Sequence, residues 1–306
     1  MSTRSNPWTP SKLGTALLLA TGLCACSGTG EGTVSIRIDG EDGAREGLPH
    51  DDGEESIEFV DGWSVQFEAY RMAVSGLEVA DSMGESGFSS DAVYLVDLAL
   101  DAPEIEAAVI GAQRWDEVGI GVVVPQSGDE LVRSGVGEDQ ARAMVDAGAS
   151  YWVDGTARHA ASGREVSFSF PFEASARYSR CTNGEDGSQG VVVRTNSETR
   201  LDFTVHVEHL FFSNLASENG ALRFEAIAAM ADDAGLVTWA ALADQPLADL
   251  RDADGNPLVD EGGAPVVYDP GGVALQENTL QAFMREAVRS QVHLNGEGLC
   301  TLSSLD

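Results

Sequence analysis

Between Val166 and Phe172 every second residue is large and apolar (Val166, Phe168, Phe170, Phe172), and none of the three residues between them is. A period of two puts successive side chains on opposite faces of an extended chain, so this run commits to a strand with one buried face. With Tyr151 to Ala157 and the intervening turn His159-Ala160-Ala161-Ser162-Gly163 it predicts a β-hairpin. Shorter alternations recur at Thr33 to Ile38, at Trp63, Val65, Phe67 and Ala69, at Leu77 and Val79 beyond Gly76, and at Val118 to Val124, and Val93 to Leu98 is an apolar run broken by Asp97. Short strands separated by turns predict a mainly β chain, an antiparallel β-sandwich with a few helices.

Two helices stand out against this pattern. One is Glu138 to Ala147, stopped by Gly148. The other is a C-terminal amphipathic helix whose stripe runs Leu280, Phe283, Met284, Ala287, Val288, Gln291 and Val292 behind a cap at Asn278 or Thr279; it puts His293 in its last turn. Leu222 to Met230 has helical spacing as well. Asp39 to Glu58, acidic and glycine-rich, reads as a mobile surface loop. Val191 to Arg194 is expected to form a second hairpin with the strand that begins at Leu201.

The first residues read as an export leader, with Arg4 and Lys12 followed by an apolar stretch, Leu13 to Leu23, too short to cross a bilayer. Leu23-Cys24-Ala25-Cys26 resembles a bacterial lipobox. That resemblance implies cleavage before Cys26, lipidation of Cys26 and anchorage in the cell envelope; Ser27, where an aspartate would retain the protein at the inner membrane, points to the outer membrane. The alternative is a plain secretory leader cut after Ala25, and both imply export. The expected organisation is a leader at 1–25, an anchor with the first strand and acidic loop at 26–58, and one β-sandwich-like domain at 59–306.

Export also bears on Cys181 and Cys300, the two cysteines left beyond Cys24 and Cys26. An oxidising compartment makes a disulfide their default, with two soft metal-ligating thiols as the alternative. The formal net charge is −32, and beyond Lys12 the chain has no lysine. Such a surface repels nucleic acid and attracts cations. No nucleophile elbow, phosphate-binding glycine loop or His-Glu-x-x-His pair is found, so the chain reads as a binding protein rather than an enzyme.

The histidines carry the strongest chemical signal. Leu201, Phe203, Val205 and Val207 alternate with Asp202, Thr204, His206 and Glu208, which predicts a half-buried strand with His206 and Glu208 on its polar face. His209 would point the other way unless the strand ended or bulged between them. Two or three imidazoles with a carboxylate suit copper or zinc. The other reading makes them core or surface residues.

His206-Val207-Glu208-His209-Leu210-Phe211-Phe212, with Leu222 to Ala228 and with His293-Leu294-Asn295-Gly296-Glu297-Gly298-Leu299-Cys300, resembles the signature of a group of exported bacterial lipoproteins. In that group a His-x-Asp-His-Leu-Phe strand and a Gly-His-x-x-Gly-Glu-Gly-His-Cys tail recur. Phe67 to Val79 and Val93 to Leu98 resemble, more distantly, the start of MbnP-like periplasmic copper-binding proteins. The resemblance implies a copper site at His206, His209 and His293, and a partner dihaem enzyme that oxidises a tryptophan, for which Trp63, Trp115 and Trp152 are candidates. Glu208 replaces the aspartate of the motif, Val292 the glycine before the tail histidine, and Leu299 its second histidine.

Overall fold

The computed structural model describes residues 30–51, 56–216, 220–260 and 262–305, so the leader and Cys26 lie outside the described residues. Two sheets carry the architecture. The larger has ten strands, among them Trp63–Ala80, Glu117–Val122, Tyr151–His159 and Glu165–Phe172. The smaller sets Val292–Leu294, Glu198–Val205, Glu31–Asp39 and Glu104–Gly111 side by side. Alternation explains how they share a core: Val166, Phe168, Phe170 and Phe172 from one sheet join Ile36, Ile38, Leu201 and Phe203 from the other in a single buried apolar cluster. The mainly β, sandwich-like fold and the Tyr151 to Phe172 hairpin follow the period-two pattern. Gly76 does not end its strand. It sits at φ 60 where the register against Glu117–Val122 shifts, a bulge inside one long strand.

Most pairings are antiparallel, but Glu31–Asp39 runs parallel to Glu198–Val205. This pairing overrides the expected second hairpin. Val191–Val192 instead pairs with Arg114–Trp115, while the Leu201 strand lies between Glu31–Asp39 and Val292–Leu294 with Leu201, Phe203 and Val205 buried. A strand with neighbours on both sides satisfies its backbone groups more fully than a hairpin edge would.

The acidic stretch after Asp39 is partly ordered rather than a mobile loop. Glu41–Glu46 is a short helix with Gly43 and Ala44 buried. A Cβ added at Gly40 would stand 2.6 Å from the Cβ atoms of both Ala44 and Leu98. Glycine here permits close approach to the core, not mobility.

The closing helix spans Leu280–Val288, capped by the Thr279 side chain, which accepts from the Ala282 N–H. It stops short of the predicted end because Gln291 has other partners: its carbonyl accepts from the His206 N–H and its side-chain oxygen from the Tyr70 hydroxyl. The chain therefore straightens into Val292–Leu294, and His293 is on a strand rather than in the last helical turn. A disulfide joins Cys181 and Cys300, 119 residues apart. Among the described residues no helix is long and apolar enough to cross a membrane.

Candidate metal centre

The Leu201 strand ends at Val205, and Val207–Phe211 winds into a 3-10 turn headed by His206. With three residues per turn, side chains at i and i+3 fall on one side. His206 and His209 are therefore brought together, where a continued strand would have parted them; the expected shared strand face of His206 and Glu208 does not exist, because both lie at or beyond the strand's end. His293 arrives from the tail, opposite Thr204 in antiparallel register. The His206 ring centroid is 4.4 Å from that of His293 and 5.5 Å from that of His209, and His209 to His293 is 5.8 Å. Three imidazoles from two distant stretches of chain form one cluster. His206 and His293 are each 7% exposed, Glu208 and His209 each 9%.

The hydrogen bonds assign the free nitrogens. Ser290 donates its hydroxyl to the Ala287 carbonyl at 2.8 Å, so its oxygen accepts from His209 Nδ1 at 2.9 Å. The Ser290 carbonyl accepts from His293 Nε2 at 3.1 Å. One residue thus fixes two rings, leaving His209 Nε2 and His293 Nδ1 as lone pairs. His206 Nδ1 donates to Glu208 Oε1 at 3.3 Å. His206 Nε2 and His293 Nδ1 are buried without a hydrogen-bond partner. Buried polar atoms are nearly always paired, so two orphaned imidazole nitrogens on adjacent rings fit a cation taken between them.

Carboxylates complete the donor set. One donor atom each from His206, His293 and Glu297 lies within 4.8 Å of the others, and the same is true of His206, Glu208 and His209. Glu41 Oε2 is 3.9 Å from His206 Nδ1, and Glu297 Oε1 is 3.9 Å from His206 Nε2. Burial opposes charge on His206, yet the hydrogen bond and charge of Glu208, with Glu41 and Glu297 beyond, push its pKa up to about 9. Burial, reinforced by the neighbouring His206 and His293, pulls His209 down to about 4 against the attraction of Glu208. His293 is lowered by burial and by His206. Burial would raise Glu208, but its partnership with His206 holds it below the usual carboxylate range. Without metal the cluster thus favours one extra proton, on His206, beside two neutral rings; a divalent cation would take that proton's place in an already negative surround.

Sequence reasoning missed Glu41 and Ser290. Glu41 lay in a stretch read as a mobile loop, and its backbone adopts φ 55, a left-handed conformation uncommon for glutamate. A local signal existed for Ser290, three residues before His293, but only the tertiary fold shows which atoms it holds. The tryptophans stand apart from the cluster's hydrogen bonds. Trp63 donates to Glu225, Trp115 to the Gly111 carbonyl and Trp152 to Asp154. The aromatic ring stacked on the cluster is Phe212, 4.4 Å from His209.

Fold and site together define a mainly β, sandwich-like protein with a buried cluster of three imidazoles and adjoining carboxylates. No family model and no curated protein matches the sequence. A solved structure, MbnP from Methylosinus trichosporium, is similar at 12% identity with a TM-score of 0.30, covering 80% of this chain and 96% of that one.

Proposed function

We propose that this chain is an exported cell-envelope binding protein that holds one transition-metal ion at His206, His209 and His293, and that it is a binding rather than a catalytic protein. The observation that carries the reading is the pair of buried, unpartnered nitrogens, His206 Nε2 and His293 Nδ1, on rings 4.4 Å apart. Glu297 is the carboxylate placed to join them, while Glu208 and His209 form a second group of possible donors with His206. Imidazole and carboxylate donors suit copper(II), zinc and nickel, and affinity across divalent first-row metals peaks at copper, so copper is the favoured occupant. The lipobox at Leu23 to Cys26 supports a lipid anchor, with the outer membrane as the expected address. A partner redox enzyme is part of the reading through the family resemblance alone.

A second reading draws on the His206–Glu208 pair at 3.3 Å. A protonated imidazole on a buried carboxylate can be a purely structural ion pair, in a surface lipoprotein that binds no metal. Metal analysis separates the two. Protein purified from the periplasmic or membrane fraction should hold close to one metal ion per chain, and His206→Ala should lose it while keeping its circular dichroism. A native protein that comes out metal-free and takes up no copper in equilibrium dialysis refutes the binding function.

A further inference from the structure

A cleft of about 720 Å³ is lined by His209 and His293. It is far larger than an ion with its waters requires and lies in the size range of small-molecule sites. Its apolar lining includes Phe212, Leu215, Leu299 and Leu302. Leu299 is 55% exposed and Leu302 44%, so both present apolar surface to solvent.

The polar groups along the cleft are largely spoken for. Arg289 pairs with Glu286, the Tyr178 hydroxyl donates to the Arg289 carbonyl, and Ser290 is held between Ala287 and His209. His293 Nδ1 and Arg289 Nε are exceptions, both buried without a partner, and His293 is more than nine-tenths buried. A partly apolar cleft with a few unpaired polar atoms is the pattern of a small-molecule site. The charge of the surroundings narrows the class. Glu286 and Glu297 line the cleft with Arg289, whose charge Glu286 pairs, and the chain carries a net charge of −32, so an anion would enter against the field. Phe212, stacked on His209, gives a flat ring something to lie against.

We propose that the metal centre keeps one coordination position open to this cleft, and that the cleft takes a neutral, largely apolar heteroaromatic molecule which binds the metal through a ring nitrogen. This rests on the metal-binding reading above. A centre whose protein ligands leave one position open accepts an exogenous donor. A ring nitrogen of the ligand would supply its lone pair to a metal held there, with no redox step.

The test uses full-length protein loaded with copper(II), after the bound copper has been counted. Imidazole, 4-phenylimidazole and benzoate are titrated in turn and followed by electron paramagnetic resonance and the visible absorption of the copper. The expected result is a spectral shift with both azoles and about tenfold or tighter binding of 4-phenylimidazole, because only its phenyl ring fills the apolar cleft. Leu302→Asp, at the exposed side of the cleft, should erase most of that preference without changing the copper count, and Leu299→Asp should do the same if the first variant folds poorly. Equal affinity for the two azoles, a preference for benzoate, or bound copper whose spectrum ignores all three overturns the proposal and leaves metal binding intact. Failure to hold copper at all overturns both.

Discussion

At the scale of single residues, the arrangement depends on which nitrogen of each ring is free. Ser290 decides this for two of three, through its hydroxyl on His209 and its carbonyl on His293. Ser290→Ala removes the first contact and keeps the second, so His209 is freed to change tautomer and orientation. Loss of an outer partner of a metal-bound histidine typically weakens binding by about 10- to 100-fold. A competition titration against a chromophoric chelator should show a loss in that range, and an unchanged affinity would mean that Ser290 does not hold the ring.

The His206–Glu208 pair gives metal-free protein a definite pH dependence. His206 binds its proton more tightly when folded, with a pKa of about 9 against 6.5. Its contribution is therefore fully present below 6.5 and is lost as pH rises through 9. Glu208 has the opposite sign: its lowered pKa contributes above 4.5 and is lost as pH falls through the depressed value. Glu208→Gln should therefore destabilise the protein most at roughly pH 5 to 6.5 and least at about pH 10. Urea unfolding of metal-free wild type and variant at the two ends tests the sign, and an offset that grows toward alkaline pH would contradict it.

At the scale of elements, two short pieces do most to assemble the cluster. The 3-10 turn after Val205 folds His209 back beside His206, and the Glu41–Glu46 helix brings Glu41 up to them. That helix lies close because Gly40 leaves no Cβ between Ala44 and Leu98. Gly40→Val would force side chains into space 2.6 Å from those atoms. Overpacking of this kind costs about 1 to 3 kcal/mol, and the shift should also move Glu41 away from His206. Denaturant unfolding measures the first effect, and a lowered His206 pKa, followed by NMR titration of the ring, measures the second.

At the scale of the whole molecule, the tail that carries His293 is secured by strand pairing with Phe203 to Val205, by pairing of Thr301–Ser303 with Arg177 to Ser179, and by the disulfide from Cys300 to the buried Cys181. Closing a loop of 119 residues restricts the unfolded chain enough to contribute roughly 4 to 5 kcal/mol on the chain-entropy model. Replacing both cysteines by serine should lower stability by about that amount. It should also weaken metal binding, since the tail that carries His293 would then be held by short strand pairings alone. If thermal unfolding shows the double variant equal to wild type, the bridge contributes nothing to stability.

Much of this protein could be read along the chain because the determining interactions are local. A period of two commits Val166 to Phe172 to a strand whatever it pairs with, and the stripe through Leu280, Phe283, Met284 and Ala287 commits that segment to a helix. Cys181 could be paired with Cys300 from residue type and compartment, and the set His206, His209 and His293 is implied by the family resemblance. What the chain alone left open was every feature set by a distant partner. Where the Leu201 strand stops, where the closing helix yields to Gln291, and that Glu41 belongs beside His206 all depend on contacts between residues far apart in sequence. An imidazole cluster is such a feature: its members come together only when strand Val292–Leu294 pairs with Glu198–Val205, because the free energy that places His293 is that of backbone pairing and core burial, not of the histidines themselves.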